Sequence, residues 1–302
     1  MGLREKIDSG AFVVTAELGP PQSANGNAVR KKTGHFRRGV DGVNITDNQT
    51  AIVRLSSIAA AKIVLEEGLE PVIQMTCRDR NRIAIQSDLL GAAALGIGNV
   101  LCLTGDFQTF GNHPEARPVF DMDSVQLIAA ANGLAEGHFL SGDAVKTPPS
   151  LLVGGAANPF ADPLEFRITR LAKKVRAGAR FIQTQPVYDV ERFQAWMNLV
   201  RAQGLHEKTT ILAGIMPVKS ARALVHMKEE VPGVRIPDAL IQRMTGAEDP
   251  KEEGVRMAVE MIRAVREIEG IRGIHLMPLM WESITPRILE ESGLMADGTR
   301  GG

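Results

Sequence analysis

The chain has 302 residues, of which 44% are hydrophobic, and its 35 basic and 35 acidic side chains give no formal net charge. This length is enough for a sizeable core, either in two ordinary domains or in one α/β barrel of about 250 residues. A neutral chain has no global field that would hold nucleic acid or an anionic membrane, so neither partner is expected.

The N-terminal segment bears on where the protein is located, and the cysteine and histidine residues bear on whether it binds a metal. The first ten residues contain no apolar signal region, and no apolar run is long enough for a membrane span. Cys77 and Cys102 are too few and too far apart for a disulfide framework or a metal cluster. His113, in GNHPEARP, has no partner histidine at metal-ligand spacing. We therefore expect a cytoplasmic protein with no membrane segment and no metal.

Short apolar runs alternate along the chain with longer segments of helical periodicity. The predicted strands, in chain order, are 12–18, 42–46, 71–77, 99–104, 150–155, 181–187, 210–218 and 273–279. The predicted helices between and after them are 53–67, 81–95, 124–136, 190–202, 220–230 and 284–292. A further helix is capped by Asp162, begins at Pro163 and ends at Gly178.

This alternation predicts parallel strands joined by right-handed crossovers. An open doubly wound sheet would also alternate, but eight units without an obvious break favour a closed (β/α)8 TIM barrel. The dinucleotide-binding pattern G-x-G-x-x-G is absent after the first strand, where the chain reads Gly19-Pro20-Pro21. We predict a single domain over residues 1–302, with a long loop at 107–122, a helical insertion near 238–268 and a frayed tail at 297–302.

Active sites of such barrels lie at the C-terminal ends of the strands. This rule selects Glu17, Thr46 to Asn48, Thr76 to Arg78, Asp106, Gly155 to Asn158, Gln185, Pro217 to Lys219 and Met280 to Glu282. Glu17 ends the apolar stretch TAEL, where a carboxylate is costly to ionise and suits a general acid; a surface glutamate paired with an arginine is the alternative. Asp106 follows Gly105, which allows a ligand close to the backbone, or it is a simple turn residue. Gln185, in IQTQPVY, could bind a heterocycle or satisfy a buried carbonyl.

Basic and aromatic residues near the same end are open to two interpretations. Lys173 and Lys174 begin KKVRAGAR on the helix after the fifth strand. One of them could reach a phosphate at the barrel mouth, or both could lie on a solvated helix face. Trp281 and Phe120 could stack on a flat ligand, although a lone aromatic residue more often belongs to the core.

Four segments together resemble the methylenetetrahydrofolate reductase family. They are TAELGPP with Glu17, LTGD with Asp106, IQTQPVYD with Gln185, and GIMPV at 214–218. Each segment alone is weak, but four in register, each at a predicted strand end, span roughly residues 11–294. The resemblance implies a (β/α)8 barrel with a non-covalent flavin, FAD by family default and FMN as the alternative. It implies reduction of 5,10-methylenetetrahydrofolate to 5-methyltetrahydrofolate, in one-carbon metabolism and methionine biosynthesis.

The resemblance also implies roles for individual residues. Glu17 resembles the general acid that protonates N10 of the folate, after which the flavin N5 hydride adds to the exocyclic carbon. Asp106 resembles the aspartate that tunes the flavin and helps to bind folate, and Gln185 resembles the glutamine that hydrogen-bonds the substrate. The positions that match flavin contacts of the family are Thr46, Thr104, Gly105, Asp106, Asn158, Arg170, Lys173 and Lys174.

Several positions depart from the family pattern. Asn158 replaces a histidine, Thr104 replaces an arginine, and the aromatic residue on the helix after GIMPV becomes Met227 or nothing. These changes remove aromatic surface that would hold a folded NADH, and they resemble reductases of anaerobes that work with a partner subunit bearing iron–sulfur and zinc sites. The implied electron donor is therefore NAD(P)H or such a partner subunit, and the chain could form a homo- or hetero-oligomer.

Two rival functions belong to other classes. The chain could be a non-catalytic barrel subunit of a methyl-transfer complex, or a flavin-free barrel that handles a pterin, such as a methyltransferase. A scaffold needs neither Glu17 nor Asp106, which argues against the first. A purified reductase should be yellow, which separates it from both.

Overall fold

Eight parallel strands close into one barrel in the computed structural model, which describes residues 1–231 and 233–295. Each strand pairs with the next along the chain, and the first pairs with the last through Thr15 and His275. The strands are β1 Val13–Leu18, β2 Gly42–Ile45, β3 Pro71–Thr76, β4 Asn99–Leu103, β5 Leu152–Ala157, β6 Phe181–Pro186, β7 Thr210–Ile215 and β8 Ile271–Leu276. The predicted (β/α)8 TIM barrel is confirmed, and all eight predicted strands are present.

Helices follow the strands and form the outer layer. They are α1 Leu3–Ser9, α2 Gly26–Thr33, α3 Ser57–Glu66, α4 Arg82–Ala94, α5 Ser124–Ala135, α6 Leu164–Arg176, α7 Val190–Ala202, α8 Ala221–Glu230, α9 Asp238–Thr245, α10 Pro250–Arg266 and α11 Thr285–Glu291. α1 and α2 are missing from the predicted elements, because helices of seven and eight residues carry too little periodicity to detect.

The predicted insertion near 238–268 holds α9 and α10. α10 packs on β7 and β8, and its apolar side chains, including Val255 and Ile262, are fully buried there. The division into one domain with this insertion stays a prediction. The predicted frayed tail, 297–302, lies outside the described residues.

The lower half of the barrel interior is closed by apolar side chains. One cluster joins the strands to Leu3 and Ile7 of α1, which therefore plugs the N-terminal end; its strand members are Val13, Val72, Leu101, Leu152, Phe181 and Leu212. Gly154 leaves space for the Phe181 ring, because a Cβ at Gly154 would lie 2.2 Å from it. A ligand can therefore enter this interior only from the C-terminal end of the strands.

Candidate active site

Glu17 lies at the open end of the barrel with its carboxylate held on one side. Its side chain is 8% exposed. Gln74 of β3 donates a hydrogen bond from Nε2 to Glu17 Oε2 at 3.2 Å, and His275 Nε2 of β8 lies 3.8 Å from the same oxygen. No described residue contacts Oε1 by a hydrogen bond or an ion pair. The arginine-paired surface glutamate is therefore wrong as an interpretation of Glu17.

A layer of buried polar side chains supports Glu17 from below. The side chains of Asn44 and Gln183 exchange two hydrogen bonds across the interior, at 2.7 and 3.0 Å. Gln183 Nε2 also donates to Thr15 Oγ1 at 3.2 Å, and that hydroxyl lies 2.9 Å from His275 Nδ1. All four side chains are at most 3% exposed. Because each partner is itself held, this layer restrains the mouth above it.

Asp106 stands at the rim, directly after β4. Its side chain is exposed, and no hydrogen bond or ion pair joins it to another described residue. Gly105 has a φ of +96°, and a Cβ there would lie 3.0 Å from Arg78 Cβ and 3.1 Å from Thr76 Cβ. A glycine is therefore required on both conformational and steric grounds. The backbone turn delivers Asp106 to the mouth, where its carboxylate is open to a ligand.

Gln185 follows Gln183 by two residues near the end of β6, where the pairing with β7 shifts register between Gln183 and Pro186. Gln183 is buried in the polar layer, whereas Gln185 is half-buried one level higher. Gly214 on β7 makes room for the local bend of β6, because a Cβ there would lie 2.4 Å from the Thr184 carbonyl oxygen. Gln185 therefore presents its amide at the mouth on the side of β6.

A cleft of about 590 Å³ opens beside Asp106, between the loop after β4 and α6. Four of the residues predicted to contact a flavin line it: Thr104, Gly105, Arg170 and Lys173. Its other walls are largely apolar, with Phe107 and Phe120 in edge-to-face contact at 5.4 Å between ring centroids. Arg170 and Lys173 bring positive charge to this cleft. Arg170 Nη2 lies 3.8 Å from Asp123 Oδ2, so the two form an ion pair at its edge.

Thr46, at the end of β2, carries a buried hydroxyl without a partner. The residue is 1% exposed, and Oγ1 has no hydrogen bond among the described residues. Gly19 lies beside it, since a Cβ on Gly19 would be 3.9 Å from Thr46 Oγ1. A buried hydroxyl without a partner is costly unless a ligand completes it. Together with the apolar and basic cleft, it fits a planar heterocycle that bears hydrogen-bonding edges and a phosphate, as a flavin does.

Two predicted cofactor contacts are occupied within the protein. Asn158 Oδ1 accepts hydrogen bonds from the backbone of Phe160 at 2.9 Å and Ala161 at 3.3 Å, so it stabilises the turn after β5. Lys174 Nζ donates to the Ala156 carbonyl. Burial, and then the nearby Arg170, lower the pKa of Lys174 to about 8. Neither side chain lines the cleft beside Asp106.

Strained backbone is concentrated at the same end of the barrel. Among the described residues, the non-glycine positions with positive φ are Asn48, Thr50 and Ala51 after β2, Phe120 after β4, and Met280 after β8. Such conformations persist only where surrounding contacts impose them, and they often mark functional loops. These conformations therefore lie in the loops at the mouth, at the C-terminal ends of the strands.

Several site residues were missed by sequence reasoning, above all His275, Gln183 and Asn44. They sit inside strands that read as apolar, and only their alternation with wall-facing residues would have indicated that they point inward. Asp47 falls within the stretch Thr46 to Asn48 that the barrel rule selects after the second predicted strand. It is 3% exposed and accepts hydrogen bonds from Thr76 and Arg80, which hold the loop after β2.

Residues 1–231 and 233–295 contain neither a metal-binding cluster of side chains nor a membrane-spanning helix. No group of three or more histidine, cysteine, aspartate or glutamate side chains in this part of the chain could hold a metal ion. Within the same ranges, no helix has the length and apolar character needed to cross a membrane.

Known proteins resemble this chain both in sequence and in structure. Methylenetetrahydrofolate reductases 2 and 1 of Schizosaccharomyces pombe are 30% and 29% identical to it over 248 and 240 residues, which are 79% and 75% of this chain. A probable methylenetetrahydrofolate reductase (NADH) of Oryza sativa subsp. japonica is 29% identical over 241 residues, or 76% of this chain. The chain spans only 38%, 36% and 39% of the length of these relatives.

Solved structures share the fold at low identity. A Clostridium thermocellum protein, described as binding two copies of 5-methyl-5,6,7,8-tetrahydrofolic acid, matches with a TM-score of 0.68 and 15% identity, over 97% of this chain and 98% of that one. A 2,3-dimethylmalate lyase matches with a TM-score of 0.52 and 11% identity, over 99% and 87%. These likenesses show the barrel alone, whereas the model of the family described as methylenetetrahydrofolate reductase matches residues 2–293. The chain therefore belongs to the methylenetetrahydrofolate reductase family.

Proposed function

We propose that this chain reduces 5,10-methylenetetrahydrofolate to 5-methyltetrahydrofolate with a bound flavin, Glu17 acting as the general acid. The observation that carries the proposal is the Glu17 carboxyl, which is buried at the mouth of the barrel with Gln74 and His275 both on the side of Oε2. Support for the substrate comes from the family match and from the names of the relatives. The structural neighbour described as binding methyltetrahydrofolate is consistent with it.

The arrangement suits protonation of a weak base. Opening the five-membered ring of the substrate requires a proton on N10, an aniline-type nitrogen, and leaves an iminium at N5 with its exocyclic carbon ready for a hydride. The hydrogen bond from Gln74 to Glu17 Oε2, with His275 Nε2 3.8 Å from the same oxygen, favours a proton on Oε1, the oxygen left open to a ligand. General acid catalysis of this type is worth about 10² to 10⁴-fold. Asp106 and Gln185 lie at the rim of the same mouth and would bind the pterin.

The flavin would be held by the residues around the cleft and by Thr46. Thr46 Oγ1 would hydrogen-bond the ring edge, and Arg170 and Lys173 would meet its phosphate. When bound, the flavin supplies the hydride that the iminium carbon accepts. FAD and FMN share the isoalloxazine ring and a phosphate, so these residues serve either form.

The electron donor is NAD(P)H or a partner subunit. Relatives are named for NADH and for NADPH. In this chain, however, Met227 on α8 is 9% exposed and packs in the core, so it offers no stacking surface at the mouth. We propose that a partner protein with iron–sulfur centres delivers the electrons.

Cofactor extraction followed by two half-reactions tests the proposed function. Protein purified gently should be yellow and should release FAD or FMN on heating. An artificial donor should bleach the flavin, and 5,10-methylenetetrahydrofolate should restore its absorbance while 5-methyltetrahydrofolate forms. Protein that stays colourless after FMN and FAD are added back would favour the flavin-free pterin-binding or scaffold function instead.

A further inference from the structure

His275 is a buried histidine whose two ring nitrogens face different partners. It is 3% exposed, on the inner face of β8. Nδ1 lies 2.9 Å from Thr15 Oγ1, and Nε2 lies 3.8 Å from Glu17 Oε2. Among the partners in range of the ring, Glu17 is the charged group and Thr15 is neutral. The ring therefore connects the polar layer to the carboxyl at the mouth.

The hydrogen-bond network selects one tautomer of this ring. In the structure the Gln183 amide donates from Nε2 to Asn44 Oδ1 and to Thr15 Oγ1, at 3.0 and 3.2 Å, while its Oε1 accepts from Asn44 Nδ2. The hydroxyl proton of Thr15 must then go elsewhere. Its two acceptors are His275 Nδ1 at 2.9 Å and the Ile274 carbonyl oxygen at 3.4 Å, and the nearer is the ring nitrogen. A ring that accepts at Nδ1 carries its proton on Nε2, directed to Glu17.

The geometry points to His275 as a positioning residue: its Nε2–H, set by Thr15, directs the proton of Glu17 to Oε1 and stabilises the carboxylate left after that proton moves to the substrate. This inference rests on the proposed function for the identity of the proton acceptor. The proton balance is simple, because Glu17 loses one proton to N10 while His275 keeps its own on Nε2, 3.8 Å from Glu17 Oε2. Gln74 assists on the same oxygen at 3.2 Å.

The tautomer can be measured without any turnover. Long-range ¹H–¹⁵N correlation spectra of histidine-labelled protein distinguish an Nδ1–H from an Nε2–H ring, and the His275 signal is the one lost in His275→Gln. We expect the Nε2–H tautomer of His275 to predominate in the wild-type protein. In Thr15→Val, which lacks the hydroxyl donor, we expect it no longer to predominate. An Nδ1–H tautomer, or a doubly protonated ring, in the wild-type protein would overturn the inference.

Kinetics separate a positioning role from a packing role. His275→Leu should slow the folate half-reaction by about tenfold or more, within the span of the acid's own contribution. His275→Gln keeps an N–H donor and should recover part of that loss, while flavin reduction and the Kd for 5-methyltetrahydrofolate should change less than twofold. The matched control is His206→Gln, because His206 lies in the turn before β7, away from the mouth, and should leave both half-reactions unchanged.

The outcomes distinguish this inference from the proposed function. If 5,10-methylenetetrahydrofolate cannot reoxidise the reduced flavin of the wild-type protein, the proposed function is wrong. The NMR measurement of the His275 tautomer would still test the inference. Turnover in the wild type with equal folate rates in His275→Leu would overturn the inference and leave the function intact. A His275→Leu protein that fails to fold leaves Thr15→Val and the wild-type spectrum to decide.

Discussion

At the scale of single residues, Glu17 differs from an ordinary buried carboxylate in the asymmetry of its contacts. Glu282 is equally buried but pairs with Lys32 at 2.7 Å, and Glu253 pairs with two arginines. Among residues 1–231 and 233–295, no lysine or arginine pairs with Glu17, and its side-chain partners there are Gln74 and His275, both on one oxygen. Glu17 therefore lacks the cationic partner that holds the other two buried carboxylates.

We therefore predict that Glu17→Gln abolishes most of the folate half-reaction. The variant keeps the shape of the side chain but has no proton to give, so the rate should fall by about a hundredfold or more. Flavin binding and reduction by an artificial donor should remain, because neither needs an acid at N10. Stopped-flow absorbance of the two half-reactions measures both.

The matched control for this substitution is Glu253→Gln, which removes a buried carboxylate on α10, outside the mouth. It should change the free energy of unfolding but leave the folate half-reaction unaltered. A near wild-type rate in Glu17→Gln would assign the acid elsewhere, with Asp106 as the next candidate.

Lys173 and Lys174 are neighbours in sequence with different surroundings. Lys173 is exposed and lines the cleft, whereas Lys174 is enclosed against β5 and donates to the Ala156 carbonyl. We predict that Lys173→Met weakens flavin binding by about tenfold, the value of one charge-assisted hydrogen bond, and that Lys174→Met does not. Fluorescence titration with FMN or FAD measures the two Kd values. A large loss of flavin affinity in Lys174→Met would instead show that the Lys174 side chain contacts the cofactor.

Lys174 should also affect the pH dependence of stability. Burial lowers its folded-state pKa to about 8 from 10.5, so below pH 8 folding must bury a charged amine, and this penalty disappears as the pH rises toward 10.5. Lys174→Met removes the penalty. Relative to wild type, the variant should therefore be more stable at pH 7 than at pH 10, by up to about 2 kcal/mol. Urea unfolding at both pH values, with Lys173→Met as the unaffected control, tests this.

At the scale of elements, the mouth is built from loops that brace one another. The loop after β4 crosses the strained turn after β2 so closely that a Cβ on Gly111 would lie 1.9 Å from the Ala51 carbonyl oxygen. Asn112 Oδ1 accepts a hydrogen bond from the Val53 backbone at 3.3 Å beside this crossing. Since one loop carries Asp106 and the other follows Thr46, their contact aligns two sides of the candidate flavin site.

We predict that Gly111→Ala separates these loops and weakens the site. The φ of Gly111 is −104°, which alanine adopts freely, so the entire effect comes from the contact with Ala51. Flavin affinity should fall several-fold, with a loss in stability of about 1 to 3 kcal/mol. Gly91→Ala is the control, because Gly91 lies exposed within α4 with open space around it, and alanine there should stabilise by about 1 kcal/mol. Equal flavin affinity in both variants would contradict the bracing role.

At the scale of the whole molecule, the chain forms the family barrel and matches part of the length of its relatives. It spans 38% or less of the two Schizosaccharomyces pombe proteins. The mouth exposes large apolar side chains, with Phe107 60%, Phe110 64% and Met280 85% exposed. A barrel that offers open apolar surface around its site is suited to a partner that covers it.

We predict that NADH alone reduces the flavin of the isolated chain slowly. The resemblance puts Met227, or no residue, where the family's aromatic residue would hold the dinucleotide, and Met227 is buried in the core, so we expect no stacking partner for nicotinamide there. A stopped-flow experiment compares bleaching of the flavin by NADH, by NADPH and by a reduced viologen dye. Rapid bleaching by NADH would remove the need for a partner subunit.

The sequence by itself determined the barrel and much of its mouth. Eight apolar runs separated by helical segments permit few other topologies, and strand ends identify Glu17, Asp106 and Gln185 because barrel geometry brings those ends together. Only the tertiary structure decided which polar side chains meet inside. Thr15, Asn44, Gln183 and His275 are distant in sequence, on strands whose composition reads as apolar.

The tertiary structure also decided which of Lys173 and Lys174 lines the cleft, and it showed that Asn158 stabilises a turn. Adjacent residues on a helix differ by about 100° in direction, so which of two lysines faces the cleft depends on how α6 sits against β5. Local propensity carries no information on that rotation. It follows from the packing of the whole outer layer, where the hydrophobic faces of the helices determine the direction of every other side chain.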